Sequence, residues 1–397
     1  MLRAGTGISL SHNPRTAAIE ACAMAMSSAG LSRASGAIFF ATTAHGGAFP
    51  LMLRVVAEQT KTRQVAGCSA VGVIAAQSEV ESGPAISVLV FGGEEVKAKR
   101  LFAPGLRGRG REVALELATA ARPALGNSNL LCVFADTYNM DAEPFLAAIQ
   151  NELPGVTVVG GGASEDGSIG ETFQFCGDTV SSNSVAAMLI SGDFDLNVGA
   201  SSACTQIGPM HRVTEVRDNV VIALDGRPAY EVFAEAAGPL AHDLRRALGF
   251  VFLGIPVDEN PERLARGRFM VRNIVGASAE HGVIAVAHYP QVGDAVGLLL
   301  RNAERARDDL KATLEEMRDK SSIQPPAFGL YFDCVSRGAG LYNLAGHDSA
   351  YIQQYLGAVP IAGFFTGFEI GPLADFTGFL QYSGVLVLVS EKKISQA

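Results

Sequence analysis

Short apolar runs recur along the chain, each followed by a helix-compatible stretch and a second apolar run that stops at glycine. Four runs open the pattern: AIFFAT (37–42), LLCVFAD (130–136), FVFLGI (250–255) and FGLYFDC (328–334). Their length and their β-branched and aromatic content predict buried strands. Residues 14–29, 111–122 and 229–248 precede three of them with helical patterning. The fourth follows RNAERARDDLKATLEEMRDK (301–320), whose charges mark a solvent-facing helix. The second runs end at VAGCS (from 65), VVGGG (from 158), IVGAS (from 274) and IAGFF (from 361), and plausible helices at 48–60, 143–152 and 346–357 lead into three of them. After each glycine turn come further β-rich stretches, AISVLVF (85–91), SVAAMLI (184–190), AVGLLLR (295–301) and GVLVLVS (384–390), that read as hairpin strands.

The unit is therefore helix, strand, helix, strand, glycine turn, hairpin. Gly67 and Gly160 stand about 90 residues apart, as do Gly276 and Gly363, which predicts four copies. The third is degenerate, because GIPVDENPERLARGRFMVRN leaves only a short crossover. The expected class is α/β, with two related modules, each built from duplicated strand–helix–strand plus β-hairpin units. Residues 1–200 form the first module, 201–228 a bridge and 229–397 the second.

Composition narrows the function. A chain of 397 residues with 48% apolar and 18% charged positions can bury more than one core. Its net charge of −9 argues against nucleic acid and anionic membranes as partners. The opening MLRAGTGISLSHNPR has no signal-peptide core, and no run reads as a membrane helix, so a cytoplasmic location is expected. Six cysteines (22, 68, 132, 176, 204, 334) are dispersed, as expected of reduced thiols. KAKRLFAPGLRGRGR (97–111) carries six cations and reads as a solvated connector rather than a phosphate site. GGGASEDG (160–167) lacks the Lys-Ser/Thr of a phosphate loop, G-x-G-x-x-G is absent after any strand, and the seven histidines show no metal-ligand spacing. Neither a cofactor nor a metal is expected.

Two readings meet at FDCVSRG (332–338). Cys334 ends a strand near Arg337, with His347 and Asp348 shortly after, and a cation beside such a thiol could favour a nucleophilic thiolate. The bland counterpart is a buried structural cysteine. Alternatively, the loops form half of a binding site. Asp333, Ser336 and Arg337 follow the first strand of the last unit, and Phe364, Phe365 and Glu369 follow its second. In a parallel strand–helix–strand unit both loops fall at one sheet edge, where α/β proteins hold small ligands.

GCSAVG (67–72), IALDGRPA (222–229), C-x-x-R-G at Cys334 to Gly338, and VPIAGFFTGFEIGP (359–372) together resemble the FIST family of sensory proteins, in both its N-terminal and C-terminal domains. The resemblance implies an intracellular sensory protein that binds a small ligand, an amino acid being the usual proposal, and signals through a separate partner. The alternatives are a hydrolase or transferase dependent on Cys334, with His347 beside it, and a protein-interaction adaptor. The ligand-site residues implied are Asp333, Cys334, Ser336, Arg337, Gly338, Gly363, Phe364, Phe365, Glu369 and Gly371, with Cys68 and Ser69 in the first module. Two departures stand out: Gly72-Val73 and Phe368-Glu369 each replace a family Gly-Glu. The expected anchors are Arg337 for a carboxylate and Glu369 for an ammonium, with Phe364 and Phe365 as apolar wall.

Overall fold

The computed structural model describes residues 1–75, 78–259, 261–321 and 324–392. Three copies of one plan build three of its sheets. The first runs strand Arg3–Ser9, helix Pro14–Ala29, strand Gly36–Thr42, helix Phe49–Thr60, strand Val65–Ala70, a short strand pair Val73–Ala75 and Ser78–Val80, and strand Ile86–Gly92. The second repeats it with Val96–Pro104, Gly110–Ala121, Ser128–Ala135, Ala142–Glu152, Thr157–Gly162, the pair Gln174–Cys176 and Thr179–Ser181, and Ser184–Gly192. The third uses Phe194–Ser202, Ala303–Ser321, Phe328–Cys334, His347–Leu356, Ile361–Thr366, the pair Glu369–Leu373 and Phe376–Leu380, and Ser383–Glu391. Strands Gly36–Thr42 and Phe328–Cys334 are buried at every residue, which explains why their sequences are continuous apolar runs rather than alternating ones.

The short strand pairs do not stay in their own copy. That of the first extends the third copy's sheet (Ile74 opposite Gly363), that of the second extends the first's (Phe175 opposite Gly67), and that of the third extends the second's (Ile370 opposite Gly160). One edge of each of these sheets is thus extended by a neighbour's strand pair, in a closed cycle.

The recurring glycines have a steric cause. Gly67, Gly160 and Gly363 pair in parallel register with Phe39, Val133 and Tyr331. A Cβ at these positions would lie 1.8, 2.0 and 1.9 Å from the carbonyl oxygens of those same partners. No side chain fits there. One position along, Phe40, Phe134 and Phe332 are equivalent and meet in the shared core, with ring centroids 5.5 Å (40–134) and 6.5 Å (134–332) apart. Phe364 fills the space between them, 4.6 Å from the Phe40 ring, and its counterparts are the smaller Cys68 and Gly161.

The expected third copy is the exception. Strands Val251–Pro256 and Phe269–Ser278 pair antiparallel, Phe252 opposite Asn273, and no helix crosses between them among the described residues. Twelve intervening residues suit an antiparallel return better than a parallel crossover. With Cys204–Arg217, Val220–Leu224, Val283–Val286 and Ala295–Arg301 they close a barrel, the first and second of these four pairing directly. Gly276 lies in this barrel and has only the Ala285 Cβ near it, at 3.8 Å, so it is not equivalent to the other three glycines. The barrel is an insertion. The first two copies connect their first strand to their first helix through residues 10–13 and 105–109, whereas the third does so through 203–302. Its ends are joined by the Asn302 N–H donating to the Ala203 carbonyl at 3.1 Å. Asn302 then caps its helix as Asn13 caps the first copy's, accepting from the Arg305 N–H at 3.1 Å and from the Thr16 N–H at 3.0 Å respectively.

Candidate functional site

Strand Phe328–Cys334 carries Asp333 to its end, and the following turn brings Arg337 back against it. Both side chains are fully buried. The Arg337 Nε lies 2.8 Å from Asp333 Oδ1, and its Nη2 donates to Asp348 Oδ2 at 2.7 Å and to the Tyr342 hydroxyl at 2.9 Å. The Tyr331 hydroxyl donates to Asp348 Oδ2 at 2.8 Å, through space left by Gly384, where a Cβ would lie 2.1 Å from the tyrosine oxygen. One guanidinium faces two carboxylates here. Burial pushes Asp348 up, but Arg337 and the bonds from His347 and Tyr331 outweigh it and hold the carboxyl below its usual range. Burial, with the Asp348 charge, pushes the Asp333 carboxyl well above its usual range.

His347 is tied into the same cluster. Its Nδ1 sits 2.9 Å from Asp348 Oδ1, its Nε2 accepts from the Arg307 Nε at 3.2 Å, and its ring stacks on Tyr342 at 3.8 Å. Glu79 comes from the first copy's exchanged strand Ser78–Val80, and Glu81 directly follows it. Glu79 accepts from the Ser349 N–H at 2.6 Å and Glu81 from the Ala339 N–H at 2.9 Å, each at the start of a helix where the dipole favours a carboxylate. Gly338 permits this closure, because a Cβ there would meet the Glu81 carboxylate at 2.6 Å. Burial and the Asp348 charge raise Glu79 to about 7. Four buried polar atoms in this cluster, Asp333 Oδ2, Arg337 Nη1, Glu79 Oε2 and Ser349 Oγ, have no hydrogen-bond partner among the described residues.

Glu369 and Arg337 are not partners of each other. Glu369 is fully buried at the start of the exchanged strand. It accepts from the Thr366 hydroxyl at 2.6 Å through one oxygen, and from the Ser383 N–H (3.1 Å) and hydroxyl (2.6 Å) through the other. Burial raises its pKa to about 7 against those bonds. By the strand register, the same position in the second copy is Gln174, which accepts from the Ser184 hydroxyl at 2.9 Å, and in the first it is Val73. In the second and third copies the position thus ties an exchanged strand to the last strand of its own copy.

Cys334 is also internal, 4% exposed, with burial pushing its thiol to about 12. The Ser336 hydroxyl donates to its sulfur at 3.1 Å, and the Tyr382 N–H reaches it too. Its counterparts, Thr42 and Asp136, cap the same turn by accepting from the Ala85 N–H at 2.9 Å and the Asn183 N–H at 2.7 Å. Phe364 and Phe365 are core, not wall, as are Gly363 and Gly371. Cys68 is buried in the core, and Ser69 accepts from the Phe173 N–H at 3.0 Å, stitching the second copy to the first. All six cysteines are free and buried.

The open space lies one layer out. A cleft of about 370 Å³ separates the barrel from the third copy. Ser201, Cys204 and Ser383 line it beside Leu264, Phe269 and Leu380. Ser383 is the residue that holds Glu369, and the buried Ser201 Oγ has no partner among the described residues. Both charges are present on its rim. Arg266 from the barrel meets Asp309 and Glu316 of helix Ala303–Ser321 at 2.6 and 2.5 Å, and Asp309 accepts from the Ser202 N–H at 2.6 Å. Ser201, Ser383, Glu79 and Glu81 were not singled out in the sequence, and no local motif marks them.

These features define an α/β protein of three strand-exchanging copies with a barrel inserted in the last. The FIST N domain matches residues 36–227 and the FIST C domain residues 229–372. The chain belongs to the FIST family, whose domains are signalling sensory domains. An uncharacterised protein of Mycobacterium tuberculosis is 28% identical over 389 residues, covering 98% of this chain and 99% of the relative. Another, from Mycobacterium bovis, is 29% identical over 375 residues, covering 94% of this chain and 95% of the relative. Among solved structures, a chorismatase aligns at TM-score 0.33 and 9% identity over 98% of this chain and 99% of its own. A cyanuric acid hydrolase from A. caulinodans aligns at TM-score 0.29 and 9% identity over 48% of this chain and 70% of its own. Neither likeness carries an argument about chemistry. No helix among the described residues is long and apolar enough to cross a membrane.

Proposed function

We propose that the protein is an intracellular sensory module that binds a small zwitterionic metabolite of amino-acid class in the cleft between barrel and third copy, and signals through a separate partner. The observation that carries this reading is Ser383, which faces the cleft on one side and holds the buried Glu369 on the other. The volume of about 370 Å³ suits a metabolite. Apolar residues supply its wall, and the Arg266 and Asp309 pair on its rim supplies both signs. Glu369 then acts behind the ligand, fixing the floor through Ser383, rather than on it. The Cys334-dependent alternative has weaker support. The thiol is pushed to about 12, and His347 spends its ring nitrogens on Asp348 and Arg307.

A thermal-shift screen of amino acids and related metabolites tests the proposal. A ligand at a hundred times its dissociation constant stabilises by about 2.7 kcal/mol. The cleft-filling variant Ala312→Phe should abolish the shift while keeping the unliganded melting temperature. A shift that survives Ala312→Phe, or no shift from any member of the set, contradicts the proposal.

A further inference from the structure

We propose that a second cleft, in the N-terminal module, binds a phosphate-bearing small molecule of nucleotide size. It measures about 1340 Å³ and opens between helix Phe49–Thr60, the turn that follows it, and the ends of strands Ile86–Gly92 and Val96–Pro104. Its lining shares no residue with the cleft beside the barrel.

Six cations line it: Arg3, Arg33, Arg54, Lys61, Arg63 and Arg100. Among the described residues none of these six forms an ion pair, whereas Arg109, Arg122, Arg227 and Arg268 elsewhere each hold a carboxylate. On a chain of net charge −9, a set of unpaired like charges around one concavity is a focus of positive potential. An anion there relieves their mutual repulsion. Arginine forks match phosphate oxygens two at a time, which favours phosphate over a simple carboxylate.

Two features narrow the ligand further. The half-buried Leu31 and Ala57 give the cleft apolar surface beside the cations, suited to the flat face of a base. Glu58, Glu94 and Asp178 share the rim, so the positive potential is local and does not extend into a track for a nucleic-acid strand. Arg100 is also held in place. Gly177 leaves the room it occupies, since a Cβ there would lie 1.1 Å from Arg100 Nη1, and the Arg100 N–H donates to Gln64 Oε1 at 2.9 Å. This places a cation of the basic connector in a cleft, where its sequence suggested a solvated loop.

Calorimetric titration of the full chain with inorganic tripolyphosphate and with ATP, at low and high salt, tests the assignment. Both probes should bind at low salt, ATP the tighter, and both should weaken steeply as salt rises. The exposed double variant Arg54→Gln, Arg63→Gln should lose about tenfold or more in affinity for each probe, with an unchanged unliganded melting temperature. Ala312→Phe, which fills the other cleft, should leave both affinities as they are. Absence of binding by both probes at low salt, or equal affinity in the double variant, overturns the site. ATP binding no tighter than tripolyphosphate overturns the nucleotide class, and so does a single-stranded oligonucleotide that displaces ATP from the cleft.

Discussion

Glu369→Gln tests a fully buried carboxyl whose pKa burial has raised. A buried carboxyl raised from 4.5 to about 7 binds its proton more tightly in the folded chain than in the unfolded one. Between about pH 4.5 and about pH 7 the native state therefore holds more protons than the unfolded state, and stability falls as pH rises through that window. At about 1.4 kcal/mol per unit, the full effect is about 3 kcal/mol. Glutamine keeps the shape and removes the titration. Its amide is accommodated because the Thr366 hydroxyl, 3.0 Å from the Asp333 carbonyl oxygen, can donate there and accept from the new NH₂. Gln174 already occupies the equivalent position in the second copy. Denaturant unfolding of both chains from about pH 4 to about pH 9 is the assay. The variant should match the parent in acid and exceed it by about 1–3 kcal/mol above neutrality, the difference growing through the titration window. Glu79, also raised to about 7, acts on both chains alike and cancels in the difference. A pH-independent difference, or a variant weaker than the parent at every pH, would refute the argument that burial raises the Glu369 pKa.

Other outcomes follow from the same geometry. Gly160→Ala and Gly363→Ala force a Cβ to within 2.0 and 1.9 Å of a paired carbonyl and should each cost more than about 3 kcal/mol in denaturant unfolding, whereas Gly276→Ala should cost under about 1 kcal/mol. Arg337→Met strands a buried Asp348 and should destabilise by about 3–5 kcal/mol, with most of the loss recovered in the double variant Arg337→Met, Asp348→Leu. Cys68 and Cys334 should label with an aromatic disulfide reagent at neutral pH only as fast as the chain opens; rapid labelling of native Cys334 would restore its candidacy as a nucleophile.

Much of the fold was legible because its signals are local. The apolar runs at 37–42, 130–136 and 328–334 and the glycines at 67, 160 and 363 are strand and strand-end features that sequence spacing reveals. The barrel was read as a shortened copy because FVFLGI and IVGAS carry the same apolar signal, and nothing local states whether two strands run parallel. Strand exchange left no mark at all, since the partner of Ile74 is Gly363 and that pairing depends on how the copies assemble. The candidate site divided along the same line. Arg337, Cys334 and Glu369 do cluster around the end of the last copy's strands. Their burial was hidden, because the carboxylates that close over that end, Glu79 and Glu81, bond to backbone groups 270 and 258 residues further along the chain.

The central claim is that a small ligand sits between the barrel and the third copy and is felt by the floor that Ser383 and Glu369 form. Hydrogen–deuterium exchange of the full chain, with and without a metabolite that raises its melting temperature, tests this most directly. The account predicts slower exchange at 200–206, 263–271 and 305–312 around the cleft and at 380–383 beneath it. Protection confined to other parts of the chain, with these four segments unchanged, would contradict it.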